Sequence, residues 1–214
     1  MLNETATRGG NTKRGADSRR KLLDAARKLF VARGYHDTRP QDIARAAGLG
    51  HGTFYLHFPD KRACFLAFVE EARAELDAEV FGRAEKADSF AQMVEVMLNA
   101  IYDYGEKHPG VLLTAMSDES VISTEGPRER SLVEKWAAGW GDLIQRHVAS
   151  GQVAPGYDPF VIGAAIVGLI HQGSTVGFHA GVPRARLIAN LTRFIVRALA
   201  PDADASPKPK TSRG

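Results

Sequence analysis

An all-α fold is what this sequence predicts, and three observations lead there. Between its two ends, almost every segment repeats apolar residues at helical spacing. No Asn-Gly hairpin turn and no run of β-branched residues alternating with polar ones occurs. Glycines, prolines and Asp/Ser/Thr caps punctuate the chain at intervals suited to about nine helices. The expected architecture is an N-terminal three-helix unit containing a helix-turn-helix, followed by a larger helical domain. Residues 1–16 read as a disordered basic arm, 17–62 as the helix-turn-helix domain, 63–200 as the larger domain and 201–214 as a disordered tail.

The first helix is expected over about 18–33, with Asp17 or Ser18 as cap, Gly34 as its left-handed stop, and Leu22, Ala26, Leu29 and Phe30 on one face. A short second helix follows at about 39–47. Its start, Thr38-Arg39-Pro40-Gln41, has the form of a capping box, and proline in a first turn removes no intrahelical bond. Gly48 ends it, and a third helix spans about 51–57. Pro59-Asp60 then breaks the chain and caps a fourth helix, along which Phe65, Val69, Ala72, Leu76 and Val80 form a stripe. Further helices are expected at about 89–107 (entered through Asp88), 109–116, 127–150, 159–180 (Asp158 as cap, Pro159 first) and 183–200.

Charge is distributed unevenly over the 214 residues. The net value is +3, yet residues 1–61 hold twelve Lys/Arg against six Asp/Glu, while residues 62–214 hold sixteen against nineteen. A basic block on a mildly acidic body points to a polyanion partner for one end only. The single cysteine, Cys64, excludes a disulfide framework and a cysteine-built zinc site, and reads as a buried packing residue. No run approaches the roughly 18 apolar residues of a membrane span, and no apolar stretch follows the basic start as a secretory signal requires. The expectation is a cytoplasmic protein with no membrane partner.

The second and third helices meet the packing demands of a helix-turn-helix. Ala44 is small enough for a close crossing, Gly48 supplies positive φ in the turn, Phe54 locks the third helix onto the first two, and Ile43 and Leu49 complete the core. The third helix is short, and its outer face carries His51, Thr53, Tyr55 and His57, with Gly50 and Gly52 at its start. Glycines there let backbone N–H groups approach a phosphate. Arg39, Arg45, Lys61 and Arg62 surround it, so affinity from phosphate contacts and specificity from a few side chains are both on offer.

Residues 34–61, and above all Gly52-Thr-Phe-Tyr-Leu-His-Phe-Pro-Asp-Lys61, resemble the DNA-binding signature of the tetracycline-repressor (TetR) family. The resemblance is strong over about the first 70 residues. It implies that Thr38 caps its helix against a phosphate, that Tyr55 and Lys61 contact backbone phosphates, and that His51, Gly52, Thr53 and Leu56 face the major groove. Arg39, Gln41, Gly50 and His57 complete the expected DNA-facing set. Gly50 stands where the family usually has a Ser-like cap, and Arg39-Pro40 replaces a Thr followed by an aliphatic residue. The second departure puts a cation where a hydroxyl would sit, so the operator sequence does not transfer from relatives.

The resemblance also implies a C-terminal domain that dimerises and binds a small effector, giving a homodimeric repressor released from operator DNA by its ligand. Helix 159–180 is rich in small residues and the next helix has a wide apolar stripe; Gly163, Val167, His171, Ser174, Leu187, Leu191 and Phe194 are the expected dimer contacts. The effector is expected among Met93, Met97, Tyr102, Met116, Trp136 and Trp140, since Met-rich apolar walls adapt to varied shapes. The acidic middle of the chain favours a neutral, apolar or cationic ligand.

No metal or cofactor is expected. His171 and His179 share a helix face but lie two turns, about 12 Å, apart, too far to clamp one ion. No nucleophile elbow, phosphate loop or His-Glu-x-x-His motif is present, so no catalytic residue and no enzyme is predicted. Two other classes remain open at this stage: a helical enzyme or ligand carrier with an incidental helical hairpin, and a DNA-packaging protein without sequence preference.

Overall fold

The computed structural model describes the backbone of residues 5–117 and 130–201, and the side chains of residues 14–116 and 130–201. Among the described residues there are nine α-helices and no strand: α1 (Thr5–Arg33), α2 (Pro40–Ala46), α3 (His51–His57), α4 (Lys61–Ala84), α5 (Phe90–Lys107), α6 (Val111–Ser117), α7 (Leu132–Ala149), α8 (Pro159–His179) and α9 (Arg184–Ala198). The all-α expectation holds.

Several boundaries follow from identifiable caps. Gly34 and Gly48 take φ of 79° and 69°, ending α1 and α2 as single left-handed residues that a Cβ would strain. The Asp60 carboxylate accepts from the Ala63 amide at 2.7 Å and starts α4. The Asp158 carboxylate accepts from the Val161 amide at 2.9 Å, with Pro159 at the first helical position. At α5 the capping pair is Ser89 with Gln92: the Ser89 hydroxyl accepts from the Gln92 amide, and the Gln92 side chain accepts from the Asp88 amide.

Three expectations differ from the structure. Helix α1 begins at Thr5 instead of near Ser18, so residues 5–16 are helical and not an irregular arm. No proline interrupts Thr5–Asp17, and its glycines lower helix propensity without stopping a helix. Residues 1–4 and 202–214, which include the rest of that arm and almost all of the expected tail, lie outside the described residues. Helix α7 starts at Leu132, because Arg130 and Ser131 are not helical; the remainder of its expected start, 127–129, is likewise outside. Finally, by length and composition α8 is apolar enough to cross a membrane, with a mean hydropathy of 1.5. Polar residues such as Gln172 and Ser174 interrupt its apolar runs and hid this from a count of consecutive residues, while its Ile, Val and Leu content carries the average.

The helices fall into two compact units. The first holds α1–α3, α4 as far as Ala78, the end of α5 from Asp103, and α6. The second holds the remainder of α4 and α5 together with α7, α8 and α9. The first unit therefore reaches beyond Arg62, where the sequence suggested a boundary. The reason is aromatic packing: Phe30 of α1 meets Phe65 of α4 edge-on at 5.1 Å, and Phe68 lies 5.9 Å away, all three fully buried. In the second unit α8 packs against α9, with Ile166, Val167 and Ile170 of one helix and Leu187, Ile188, Leu191 and Ile195 of the other buried. Gly163 of α8 lies directly on the backbone of Ala137 in α7, an approach that a side chain would block.

Candidate nucleic-acid interface

Helix α3 is held from one side. Phe54 is fully buried, together with Ile43 and Ala44 of α2 and Leu22, Ala26 and Phe30 of α1. The turn between the helices is closed by the Leu49 amide donating to the Ala44 carbonyl at 2.9 Å and the Gly48 amide donating to the Arg45 carbonyl at 3.0 Å. Phe58, just beyond α3, is buried against Phe54, with the Arg19 guanidinium 5.1 Å from its ring. With Phe54 committed to the core, the rest of the turn points outward by helical geometry.

That outward face contains His51, Gly52, Tyr55 and Leu56, all exposed, with Thr53 and His57 half-buried beside it. Tyr55 is 50 % exposed and Leu56 81 %. The His51 ring meets the Tyr55 ring edge-on at 5.2 Å, and Tyr55 meets Phe54 likewise at 5.3 Å, so the two exposed rings are braced against the core. Gly50 is the N-cap of α3, with extended backbone and no side chain to offer. Arg39 and Gln41 at the start of α2 are exposed, and Arg45 reaches only a loose 3.9 Å pairing with Asp42. Exposed cations on α2 and exposed hydrogen-bonding tips on α3 therefore lie within one helix-turn-helix.

Two expected contacts have structural roles within the chain. Thr38 is fully buried, and its hydroxyl donates to the Gly34 carbonyl at 2.8 Å, so it tethers the end of α1. The expected capping box is absent for the same reason. Arg39 is the N-cap, with extended φ and ψ and no side-chain cap bond, which places Thr38 one residue too early to cap α2. The Lys61 ammonium donates to the Tyr35 carbonyl at 2.8 Å and the His36 carbonyl at 3.3 Å, and sits 4.1 Å from the centre of the Tyr35 ring. It pins the α1–α2 connection to the start of α4, a structural task that the sequence pattern did not disclose.

Comparison with known proteins decides what this geometry belongs to. The family model for bacterial regulatory proteins of the tetR family matches residues 22–68, which span the second half of α1 through the start of α4. The HTH-type transcriptional regulator EthR of Mycobacterium tuberculosis is 25% identical over 200 residues, covering 90% of this chain and 92% of its own. YvdT, an HTH-type transcriptional regulator of Bacillus subtilis, is 22% identical over 159 residues, covering 71% of this chain and 78% of its own. A crystal structure of a TetR-family regulator from Pectobacterium atrosepticum superposes with a TM-score of 0.63 at 22% identity, covering 92% of this chain and 98% of that one, which establishes the fold. Over residues 22–68 the chain carries the DNA-binding domain of the tetR family. It is a DNA-binding transcriptional regulator.

Most of the remaining expected site residues fall in the second unit. Met93, Met97 and Trp140 are buried, while Tyr102 and Trp136 are half-buried. The Tyr102 hydroxyl donates to the Ser174 hydroxyl at 2.8 Å, and the Arg184 guanidinium lies 5.7 Å from the Tyr102 ring. The Trp136 indole nitrogen is buried without a hydrogen-bond partner. Met116, half-buried, lies on α6 in the first unit.

The expected dimer contacts differ in their burial within the single chain. Gly163, Val167, Leu187 and Leu191 are buried within the chain's own α7–α8–α9 packing, and Ser174 is taken up by Tyr102. His171 is half-buried, and Phe194 alone of that set stands exposed. The uncovered side of α8 is a different stripe: Val161, Ala165, Gly168, Gln172 and Val176. Among the described residues no group of three or more His, Cys, Asp or Glu side chains could hold a metal ion.

An ion-paired cluster in the first unit was missed from sequence. The Arg27 guanidinium donates to both Glu75 oxygens, at 2.7 and 2.9 Å, and the fully buried Tyr104 hydroxyl donates to Glu75 at 2.7 Å. Burial pushes the Glu75 carboxyl up, but the hydrogen bonds from Arg27 and Tyr104 more than offset this and leave it below its ordinary value. The available signal was Arg27 itself, a charge four residues after Leu23 on the apolar side of α1. Its partners on α4 and α5 have no local signature.

Proposed function

We propose that this regulator is a cytoplasmic homodimeric repressor that leaves its operator when a small molecule binds the second unit, and that it acts by binding and not by catalysis. The observation that carries the DNA-binding half is the one-sided anchoring of α3: Phe54 fully buried, His51, Tyr55 and Leu56 presented outward on braced rings. Tyr55 contacts a phosphate, His51, Gly52, Thr53 and Leu56 face the major groove, and Arg39, Gln41 and His57 flank them. Lys61 adds positive charge from its pinned position. A single seven-residue reading helix covers few base pairs, so two copies reading half-sites about 34–36 Å apart, or a multiple of it, are needed for specificity.

Dimerisation is placed on the uncovered stripe of α8 (Val161, Ala165, Gly168, Gln172, Val176) with Phe194 of α9. The small residues in its middle let two α8 backbones approach closely, and an apolar helix face of this length is otherwise costly to leave in water. A second copy also accounts for the apolar character of α8 without a membrane. The effector is placed among Met93, Met97, Tyr102, Trp136 and Trp140, where soft apolar walls and the partnerless Trp136 N–H suit an apolar ligand bearing a hydrogen-bond acceptor. Its binding can shift the protein between states only by the difference in its affinity for them.

Selection of binding duplexes from a random pool, followed by fluorescence-anisotropy titration, tests the reading. The wild-type protein should enrich a two-half-site sequence and prefer it over unrelated DNA by about 10³ or more. His51→Ala with Tyr55→Ala should abolish that preference while helical content is unchanged. Equal competition by unrelated DNA would refute sequence-specific regulation.

A further inference from the structure

The most exposed large apolar side chain named among the described residues is not on α8 but on the reading helix. Leu56 is 81 % exposed, more than Phe178 at 75 % or Phe194 at 61 %, although it is flanked by the buried Phe54 and Phe58. A leucine left this open gains nothing from the fold. Its neighbours define what it can meet. Side chains on a helix lean toward its N-terminus, so Leu56 lies over the residue four positions earlier. That residue is Gly52, and a Cβ built there would have nothing within 4 Å. Leu56 and Gly52 together form an apolar prong beside an open notch, with the braced His51–Tyr55 pair next to them.

We infer that Leu56 is a specificity-determining residue that reads the 5-methyl group of a thymine in each operator half-site, an inference that rests on the DNA-binding reading above. The chemistry leaves one candidate. The floor of the major groove presents hydrogen-bond donors and acceptors at every base pair, and the only apolar group that projects into it from unmodified bases is the thymine methyl. An exposed leucine set against donors and acceptors at any other base would desolvate them without replacing their bonds. Against a methyl group it gains contact on both sides. The notch at Gly52 lets the base edge approach the helix backbone, which a side chain there would hold off. The exposed Arg39 and Arg45 of the preceding helix favour a polyanionic duplex over an apolar protein surface as the partner of this helix-turn-helix.

The test uses the full chain and a duplex selected from a random pool. Each thymine of the selected half-site is replaced in both half-sites by deoxyuridine, which removes only the methyl group. At one thymine position the wild-type protein should lose about fourfold in affinity per half-site, the transfer free energy of one methyl group, or roughly fifteenfold for the symmetric pair. Leu56→Ala should bind the thymine and uracil duplexes alike. Because Leu56 is so exposed, this variant keeps its fold, which circular dichroism checks. Placing 5-methylcytosine, paired with guanine, at that position should recover part of the wild-type affinity relative to cytosine, and Leu56→Ala should show no such gain. The inference is overturned if no uracil substitution costs the wild type more than twofold, or if Leu56→Ala retains the full uracil penalty. Failure to enrich any sequence would instead strike the regulator reading itself, and the inference with it.

Discussion

Tyr104→Phe isolates one bond in the Arg27–Glu75–Tyr104 cluster, and its cost follows from the geometry. The substitution keeps the ring in its fully buried site and removes a hydroxyl that donates to a carboxylate at 2.7 Å. Hydrogen bonds to charged groups contribute about 1.5–3 kcal/mol. Glu75 is 37% exposed and keeps both bonds from Arg27, so solvent and guanidinium recover part of that, leaving about 1–1.5 kcal/mol. For a chain of this size that corresponds to a fall in Tm of about 2–6 °C. The effect should depend on pH. The Glu75 carboxyl lies below its ordinary value of 4.5, so its contribution is fully present above that value and is lost as the pH falls through the folded-state value. Urea unfolding at pH 7 should therefore show the full difference between wild type and Tyr104→Phe, and unfolding at progressively lower pH a shrinking one. Tyr102→Phe provides a control. It removes a hydroxyl donating to the neutral Ser174, and its smaller cost should not change over the same range. A Tyr104→Phe loss below about 0.3 kcal/mol, or one indifferent to pH, would refute the claim that this ionised cluster stabilises the first unit.

Other outcomes follow from single contacts. Burial pushes the Cys64 thiol up to about 12, so the native protein at pH 8 should resist a disulfide reagent for hours and react at once in urea; stoichiometric native labelling would contradict this. Gly163→Ala would drive a methyl group into the Ala137 backbone and should destabilise by about 3 kcal/mol or prevent folding, whereas Gly82→Ala, with open space around it, should stabilise by about 0.5–1 kcal/mol. Denaturant midpoints distinguish these, and equal effects would show that the α7–α8 approach is not tight. Lys61→Ala should lower stability by about 1–2 kcal/mol as well as weakening DNA binding, because it releases the Tyr35 and His36 carbonyls; an affinity loss at unchanged stability would mean that Lys61 serves the phosphate alone.

What was legible in the sequence, and what was not, divides by the range of the interaction. Gly34, Gly48, Asp60 and Asp158 act on amides or backbone angles within three or four residues of themselves, so their roles as stops and caps could be read directly. The inward course of Phe54 and the outward course of His51 and Tyr55 followed from helical period plus a turn of known type, whereas that of Leu56 was implied only by the family resemblance. Thr38 shows how narrow such readings are. A hydroxyl one residue away from the cap position cannot reach the α2 amides and turns back to Gly34 instead. Lys61, Arg27 and Tyr104 fail differently, since their partners are 25 to 77 residues away and depend on which helices become neighbours. The expected dimer contacts combine both difficulties. Small and apolar residues on α8 and α9 satisfy the packing of one chain and of two equally well, and only the fold sorts Gly163 and Leu191, which are buried against their own chain, from Val161, Val176 and Phe194, which are not. Leu56 belongs to neither group, because the fold already accounts for its direction and leaves its apolar surface uncovered. That uncovered surface is available to the molecule that α3 meets, which is why uracil substitution in the operator, and not a stability measurement, is the experiment that reaches it.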